Sequence, residues 1–395
     1  MKLSRRHFAA AASATVLGAA ASGLGRARDA AAHDAGATSV GAPPGGLKWE
    51  PYADTIAVDA MAGLGRLGGK DDGTYDDIEL ADARASGLSA VRLSLAPEGA
   101  FWFNDAALHT TLQRISECDR NVLSHPEVLM RILRGSDFAR AHRGRKLGLI
   151  YGFQETSPIG EDLDRIEMFY KAGVRLIQLT HNRRNLVGDG SMEPGNAGIS
   201  NFGHKVIEAL NAQRIVVDLA HGGRRTSKEG LVASKAPAII SHTGCAALSD
   251  HPRCMPDETL RLMADRGGVA GIIFWPYLRK DTQPMAIDVI RHIEHAINVC
   301  GEDHVGIGTD DSVSPIDRNF PGFEKDNRAQ IADMVEQGIF EKGRPADLYL
   351  FIPDLNDVRR FEMLGAMLSA RGHSDARIAK ILGGNFVRVL SEVWA

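Results

Sequence analysis

The sequence predicts an α/β protein, a (β/α)₈ TIM barrel followed by extra C-terminal helices. Eight short β-branched or apolar runs recur between residues 56 and 310, and stretches with helical spacing of apolar residues separate them. Several of the runs end in a residue able to bind a metal ion or move a proton. In a closed barrel of parallel strands all such ends meet at one mouth.

The elements follow in chain order. Ser4-Arg5-Arg6-His7-Phe8 and the Ala-rich run after it read as a twin-arginine-type signal over residues 1–30. The run is too short and too weakly apolar for a stable membrane span, so the expected destination is the periplasm or the cell exterior. Residues 31–50, with Gly41-Ala42-Pro43-Pro44-Gly45-Gly46, read as a linker, and 51–395 as a single barrel domain that includes the C-terminal helices. The strand runs are Ile56–Ala62, Ala90–Ala96, Leu147–Gln154, Arg175–His181, Ile215–His221, Ala238–His242, Val269–Trp275 and Val305–Asp310. Their near-continuous apolar character suits parallel strands buried on both faces.

Helical spacing marks Glu161–Ala172, through Leu163, Ile166, Phe169 and Tyr170, and also Gly203–Gln213, Arg224–Ser234, Asp257–Arg266 and Met285–Cys300. Asp257 is expected as an N-cap. Past Asp311 a loop from Pro315 to Asn327 leads to helices at Arg328–Gln337, Asp357–Arg371 and Asp375–Leu382, expected to pack on the barrel. A doubly wound sheet would need a Gly-rich turn after the first strand, and Gly63-Leu64-Gly65 is only a loose version.

Composition narrows the function classes. The formal net charge of -4 leaves no basic surplus for a nucleic-acid partner. The four cysteines, Cys118, Cys245, Cys254 and Cys300, form no C-x-x-C pair, which argues against a zinc ribbon or a redox motif. An oxidising compartment permits a disulfide, with Cys245 and Cys254 the nearest pair.

The third run ends at Gln154-Glu155, the fourth at His181, the fifth at His221, the sixth at His242 and the eighth at Asp310. Three imidazoles and a carboxylate at separate strand ends point to one shared site. Neutral imidazole and carboxylate suit a divalent ion such as Zn²⁺, which polarises a carbonyl and activates water. A nearby carboxylate would shuttle protons, so the expected reaction is hydrolysis of an amide or related bond. Other features are weaker. The aromatics of Leu95–Phe103 line a pocket or cap the core. Asp311 reads as a turn residue, Arg183 and Arg184 as rim charge, and His292 with His295 as a surface pair on a helix. His204, His251 and His304 read as structural.

At this point the chain resembles the membrane (renal) dipeptidase family. The likeness runs from about Thr55 to Val389, strongest at Gly173–Asn182, Val217–His221, Ile240–His242, His251-Pro252-Arg253, His304–Asp310 and Gly383–Phe386. It implies an amidohydrolase-like barrel with two zinc ions bridged by a Glu, cleaving dipeptides. It also implies that His221 and His242 bind one metal, that Asp310 is catalytic, and that His181 and Arg253 hold substrate, Arg253 by its carboxylate. Two departures stand out. Met61 and Gly63 occupy the places of the family's first-strand H-x-D metal pair, with Asp59 kept before them. Gln154 stands at the bridging Glu, and Glu155 replaces it only if the strand end is bulged. One zinc ion rather than two is therefore expected, with Gln154 a weak ligand. The partner is a small peptide or amide, and a homodimer is left open. The rival reading is a small-ligand-binding barrel that has lost metal chemistry.

Overall fold

The apolar runs pair in parallel around a closed ring. In the computed structural model, which describes residues 46–98 and 105–395, the strands are β1 (Val58–Asp59), β2 (Ala62–Gly63), β3 (Ala90–Ser94), β4 (Leu129–Arg131), β5 (Leu147–Phe153), β6 (Val174–Gln178), β7 (Val216–Asp218), β8 (Ile240–Cys245), β9 (Cys254–Met255), β10 (Ala270–Ile272), β11 (Val305–Ile307) and β12 (Asp311–Ser312). One sheet runs β1-β3-β5-β6-β7 and another β8-β10-β11. A parallel bridge between Asp218 and Ile239 joins them at one seam. At the other seam the Ala60 amide donates to the Ile307 carbonyl at 3.0 Å, and β12 pairs with β2. Each of the eight expected runs overlaps a strand of this ring. The signal and most of the linker expected over 1–50 lie outside the described residues.

Two buried carboxylates lock the seams. Asp59 accepts from the Thr309 amide and hydroxyl, at 2.9 and 2.6 Å, which ties β1 to the end of β11. Asp218 accepts from the Ser241 amide and hydroxyl, at 2.9 and 2.6 Å, which ties β7 to β8. Asp59 is thus a structural residue. β4 and β9 were not foreseen, because runs of three and two residues carry no period.

The helices are α1 (Asp77–Ala85), α2 (Ala106–Ser124), α3 (Ser136–Arg143), α4 (Asp164–Lys171), α5 (Asn201–Ala212), α6 (Arg224–Ala233), α7 (Asp257–Asp265), α8 (Ala286–Cys300), α9 (Phe323–Glu336), α10 (Arg360–Ala370), α11 (Asp375–Ala379) and α12 (Asn385–Val393). Asp257 is the first residue of α7 rather than its cap, and its carboxylate pairs with His295 Nε2 at 2.8 Å. α9 starts at Phe323, inside the stretch expected to be loop. The inward residues of the strands separate into layers. Val58, Ala90, Ile150, Leu176, Val216, Ile239 and Val269 pack with Phe386, Val389 and Leu390 of α12 in one apolar cluster. α12 therefore plugs the end of the barrel away from the mouth. Gly306 leaves room for it, since a Cβ there would come within 2.4 Å of the Phe386 ring.

One pairing left open does not form, and one expectation is corrected. Cys245 and Cys254 are buried free thiols, not a disulfide, and their Sγ atoms face the His292 and Tyr277 carbonyls. His292 is not on the surface but buried, its Nδ1 accepting from the Cys245 amide at 2.9 Å and its Nε2 donating to the Leu278 carbonyl at 3.0 Å. Among the described residues, no helix is long and apolar enough to cross a membrane.

Candidate metal centre

The chain turns sharply where β7 and β11 reach the mouth. His221 and Asp310 both have φ of +59°, a left-handed conformation uncommon for residues other than glycine. The His221 carbonyl accepts from the Ser191 amide at 2.7 Å. The Asp310 amide donates to the Met61 carbonyl at 2.8 Å, and the Asp310 carbonyl accepts from Trp275 Nε1 at 2.8 Å. Such conformations persist where surrounding contacts over-determine them, typically at functional sites.

The hydrogen bonds fix both imidazole tautomers. Asn182 Oδ1 lies 2.8 Å from His221 Nδ1 and can only accept, so that Nδ1 carries the proton. Ser241 Oγ donates to Asp218 and lies 2.8 Å from His242 Nδ1, so its proton is spent and His242 Nδ1 donates to it. Each Nε2 is left with a bare lone pair, buried and without a hydrogen-bond partner among the described residues. The rings lie 4.9 Å apart between centroids. His242 Nε2 is 3.9 Å from Asp310 Oδ2, and one ligand atom from each of His221, His242 and Asp310 falls within 4.8 Å of the others. A tetrahedral zinc ion sets its ligand atoms about 3.4 Å apart. Two orphaned imidazole nitrogens and a carboxylate converging on one point therefore fit one divalent ion.

The other predicted residues lie around this trio. His181 stacks on His221 at 4.1 Å, with its own Nε2 buried and unpartnered. Arg253 is buried, with Nε and Nη1 unpartnered, and its guanidinium sits over the Tyr277 ring. Gln154 donates from Nε2 to Glu98 at 3.1 Å and keeps a buried Oε1 without a partner. Pairing between β5 and β6 does slip at Tyr151/Gly152, but Glu155 does not join the cluster. Its carboxylate accepts from Ser157 Oγ at 2.6 Å. Asp311 pairs with the buried Arg360 at 3.2 Å and is structural. Arg184 pairs with Asp189 on the rim. Sequence reasoning did not find Arg92, Ser241, Asp218 or Glu98, which reach the site through side-chain contacts that no spacing reports.

The first-strand position does not fit a metal. Met61 offers a thioether that already receives Arg92 Nη1 at 2.7 Å, and Gly63 offers no side chain at all. Zn²⁺ is bound by thiolate, imidazole and carboxylate donors, and a neutral thioether already against a guanidinium is none of these.

Burial, and then the Arg253 charge, hold His181 down to about 3. Burial also holds His251 and His292 at about 4, and His221 and His242 well below the ordinary value. Burial pushes Asp59 up to about 7 and Asp310 to about 8, with Arg253 opposing the shift at Asp310. These shifts predict acid sensitivity of the metal-free protein. Below about pH 6.5 the unfolded chain protonates the five imidazoles that the folded chain keeps neutral. Their contribution is whole above that pH and drains away toward pH 4. The two carboxyls act in the opposite sense, because the folded protein keeps protons that the unfolded chain loses above about pH 4. Below about pH 6.5 the unfolded state holds the net excess, so stability falls on further acidification, by a few kcal/mol per pH unit, whereas near neutrality the two effects nearly cancel. Thermal unfolding of chelated protein between about pH 6.5 and 5 should show a midpoint dropping steadily; a flat or rising midpoint over that range would refute the assignment.

A family model for membrane dipeptidase (peptidase family M19) matches residues 66–329. The chain belongs to that family. Among curated relatives, a dipeptidase of Clonostachys rogersoniana is 30% identical over 73% of this chain and 66% of its own length. A dipeptidase of Claviceps purpurea is 28% identical over 75% of this chain and 64% of its own. The chain thus spans just under two thirds of the length of these relatives. A solved amidohydrolase from Pseudomonas aeruginosa superposes with a TM-score of 0.73 and 28% identity, covering 87% of this chain and 98% of that one. A metallopeptidase from Rhodobacter sphaeroides, solved with a phosphinate mimic of the dipeptide L-Ala-D-Ala, shares the fold at TM-score 0.68 and 18% identity, covering 86% of this chain and 100% of its own. This member of the M19 family carries a His-His-Asp cluster and has Met61 and Gly63 at the end of its first strand.

Proposed function

We propose that this M19 member hydrolyses dipeptides or related small amides with a single divalent ion, zinc by its donor set. One observation carries the reading: His221 and His242 present bare Nε2 atoms beside the Asp310 carboxylate. An ion held there supplies Lewis acidity toward a carbonyl oxygen and water.

The chain's own groups do the rest. Asp310 takes the proton of the attacking water on its carboxylate and delivers it to the leaving nitrogen. A dication nearby draws its raised pKa back toward the ionised form. Arg253, with two unpartnered nitrogens, receives the free carboxylate of a dipeptide. His181, held neutral by burial, donates one hydrogen bond from its unpartnered Nε2 to the substrate carbonyl. The buried mouth excludes bulk water and strengthens each of these contacts.

Turnover of a panel of L,L- and L,D-dipeptides by purified full chain, before chelation, after it, and after zinc return, tests the reading. Loss and recovery of turnover with one ion per chain is the expected result. No bound ion and no turnover, with ligand binding unchanged by chelation, would favour a small-ligand-binding barrel instead; Met61, Gly63 and Gln154 are what that rival has in its support.

Arg253→Met should raise KM for dipeptides by about 10- to 100-fold, the worth of one charge-assisted bond, with kcat little changed. The same change should leave dipeptide amides, which lack the carboxylate, nearly unaffected. Equal losses on both substrates would show that Arg253 does not read the carboxylate.

A further inference from the structure

Arg92 is a cation where an apolar barrel interior would be expected. It lies on β3, fully buried, directly above the apolar layer plugged by α12. Its Nη1 donates to Met61 Sδ at 2.7 Å, its Nη2 donates to the Phe153 carbonyl, and its Nη2 stands 3.8 Å from Asp218. Its Nε has no partner. The chain makes space for it: a Cβ on Gly152 would come within 2.7 Å of that Nε. Burying a guanidinium without a close bidentate carboxylate is costly, so its retention asks for a reason.

We propose that the Arg92 guanidinium stands in for a second metal ion, a fixed cation at the floor of the mouth that restricts this centre to one divalent ion. The inference rests on the single-ion reading above and says what enforces it. Asp218, Asp310 and Glu98 are the carboxylates that face the guanidinium electrostatically. They belong to or border the site, so the charge a second ion would neutralise is already opposed by Arg92. Met61 completes the arrangement. Its thioether is neutral and accepts weakly, so it tolerates a guanidinium that a metal-bound imidazole would not. A dication placed a few ångströms from Arg92 in this interior would meet strong, poorly screened repulsion.

The test is metal counting, not activity. Zinc content and zinc titration are measured on the full chain, on a donor variant carrying Met61→His, Gly63→Asp and Gln154→Glu, and on that variant with Arg92→Met or Arg92→Lys. Arg92→Met removes the charge while filling the space, and circular dichroism checks that each protein is folded. One ion per chain is expected for the parent, for the donor variant, and for the donor variant with Arg92→Lys. Two are expected with Arg92→Met, the second bound at least about 100-fold more tightly than in the donor variant. A second ion in the donor variant with Arg92 in place overturns the inference. So does a single ion after Arg92→Met. If Arg92→Met fails to fold, Arg92→Gln, which also removes the charge, is counted in its place: two ions there uphold the inference, and one overturns it. A parent that binds no ion sinks the metal reading itself, which the dipeptide panel reports separately.

Discussion

His242→Ala should strip the centre of its ion and of hydrolysis together. His242 gives one of two imidazole nitrogens with no other partner, and its ring is fully buried. Removing it leaves His221 and Asp310, too few donors for a tetrahedral ion. Zinc affinity should fall by at least about 1,000-fold and turnover to background, whereas outer partners of metal ligands are worth only about 10- to 100-fold. Ser241→Ala supplies that contrast. It removes the acceptor of His242 Nδ1 but leaves the ring, so affinity should fall within the smaller range. His221→Ala should match His242→Ala. Zinc titration of dialysed protein measures all three, with circular dichroism confirming the fold. Retention of a stoichiometric, tightly held ion in either alanine variant would place the metal elsewhere.

Asp310→Asn should separate chemistry from binding. The two hydrogen bonds that hold the turn use the Asp310 backbone, so the substitution leaves them in place. Asparagine also tolerates the +59° φ better than most residues. The amide cannot take a proton from water, so kcat should fall by about 100- to 10,000-fold, the usual worth of a positioned proton carrier. KM should stay within a few-fold. The ion should remain on His221 and His242, bound less tightly for want of the carboxylate charge. A variant with near-parental kcat would mean that the proton is carried elsewhere, with Glu98, hydrogen-bonded to Gln154 at the mouth, the nearest substitute.

The barrel was legible because its strands are apolar on both faces and because helical spacing separates them. Strands too short to show a period, β4 and β9, were not, and neither was α12, whose plugging role depends on the space left at Gly306. His181, His221, His242 and Asp310 were legible by position, since a strand end in a parallel barrel faces the mouth. What was hidden is contact chemistry. Nothing in the spelling of the chain says that Asn182 and Ser241 would fix the two tautomers. Nor does it say that His221 and Asp310 would take a left-handed backbone. Arg92 was hidden most completely, as one charged letter inside an apolar run that the folded barrel turns inward. For Glu155 the slipped pairing is present, and its carboxylate accepts from the Ser157 hydroxyl outside the His-His-Asp cluster, a contact that no spacing reports.

Anomalous diffraction at the zinc edge, from crystals of the full chain grown with zinc, examines the centre most directly. One peak is predicted, within bonding distance of His221 Nε2 and His242 Nε2 and facing Asp310. No peak between those nitrogens, or a second peak beside Met61, would contradict a one-ion centre built on these two rings.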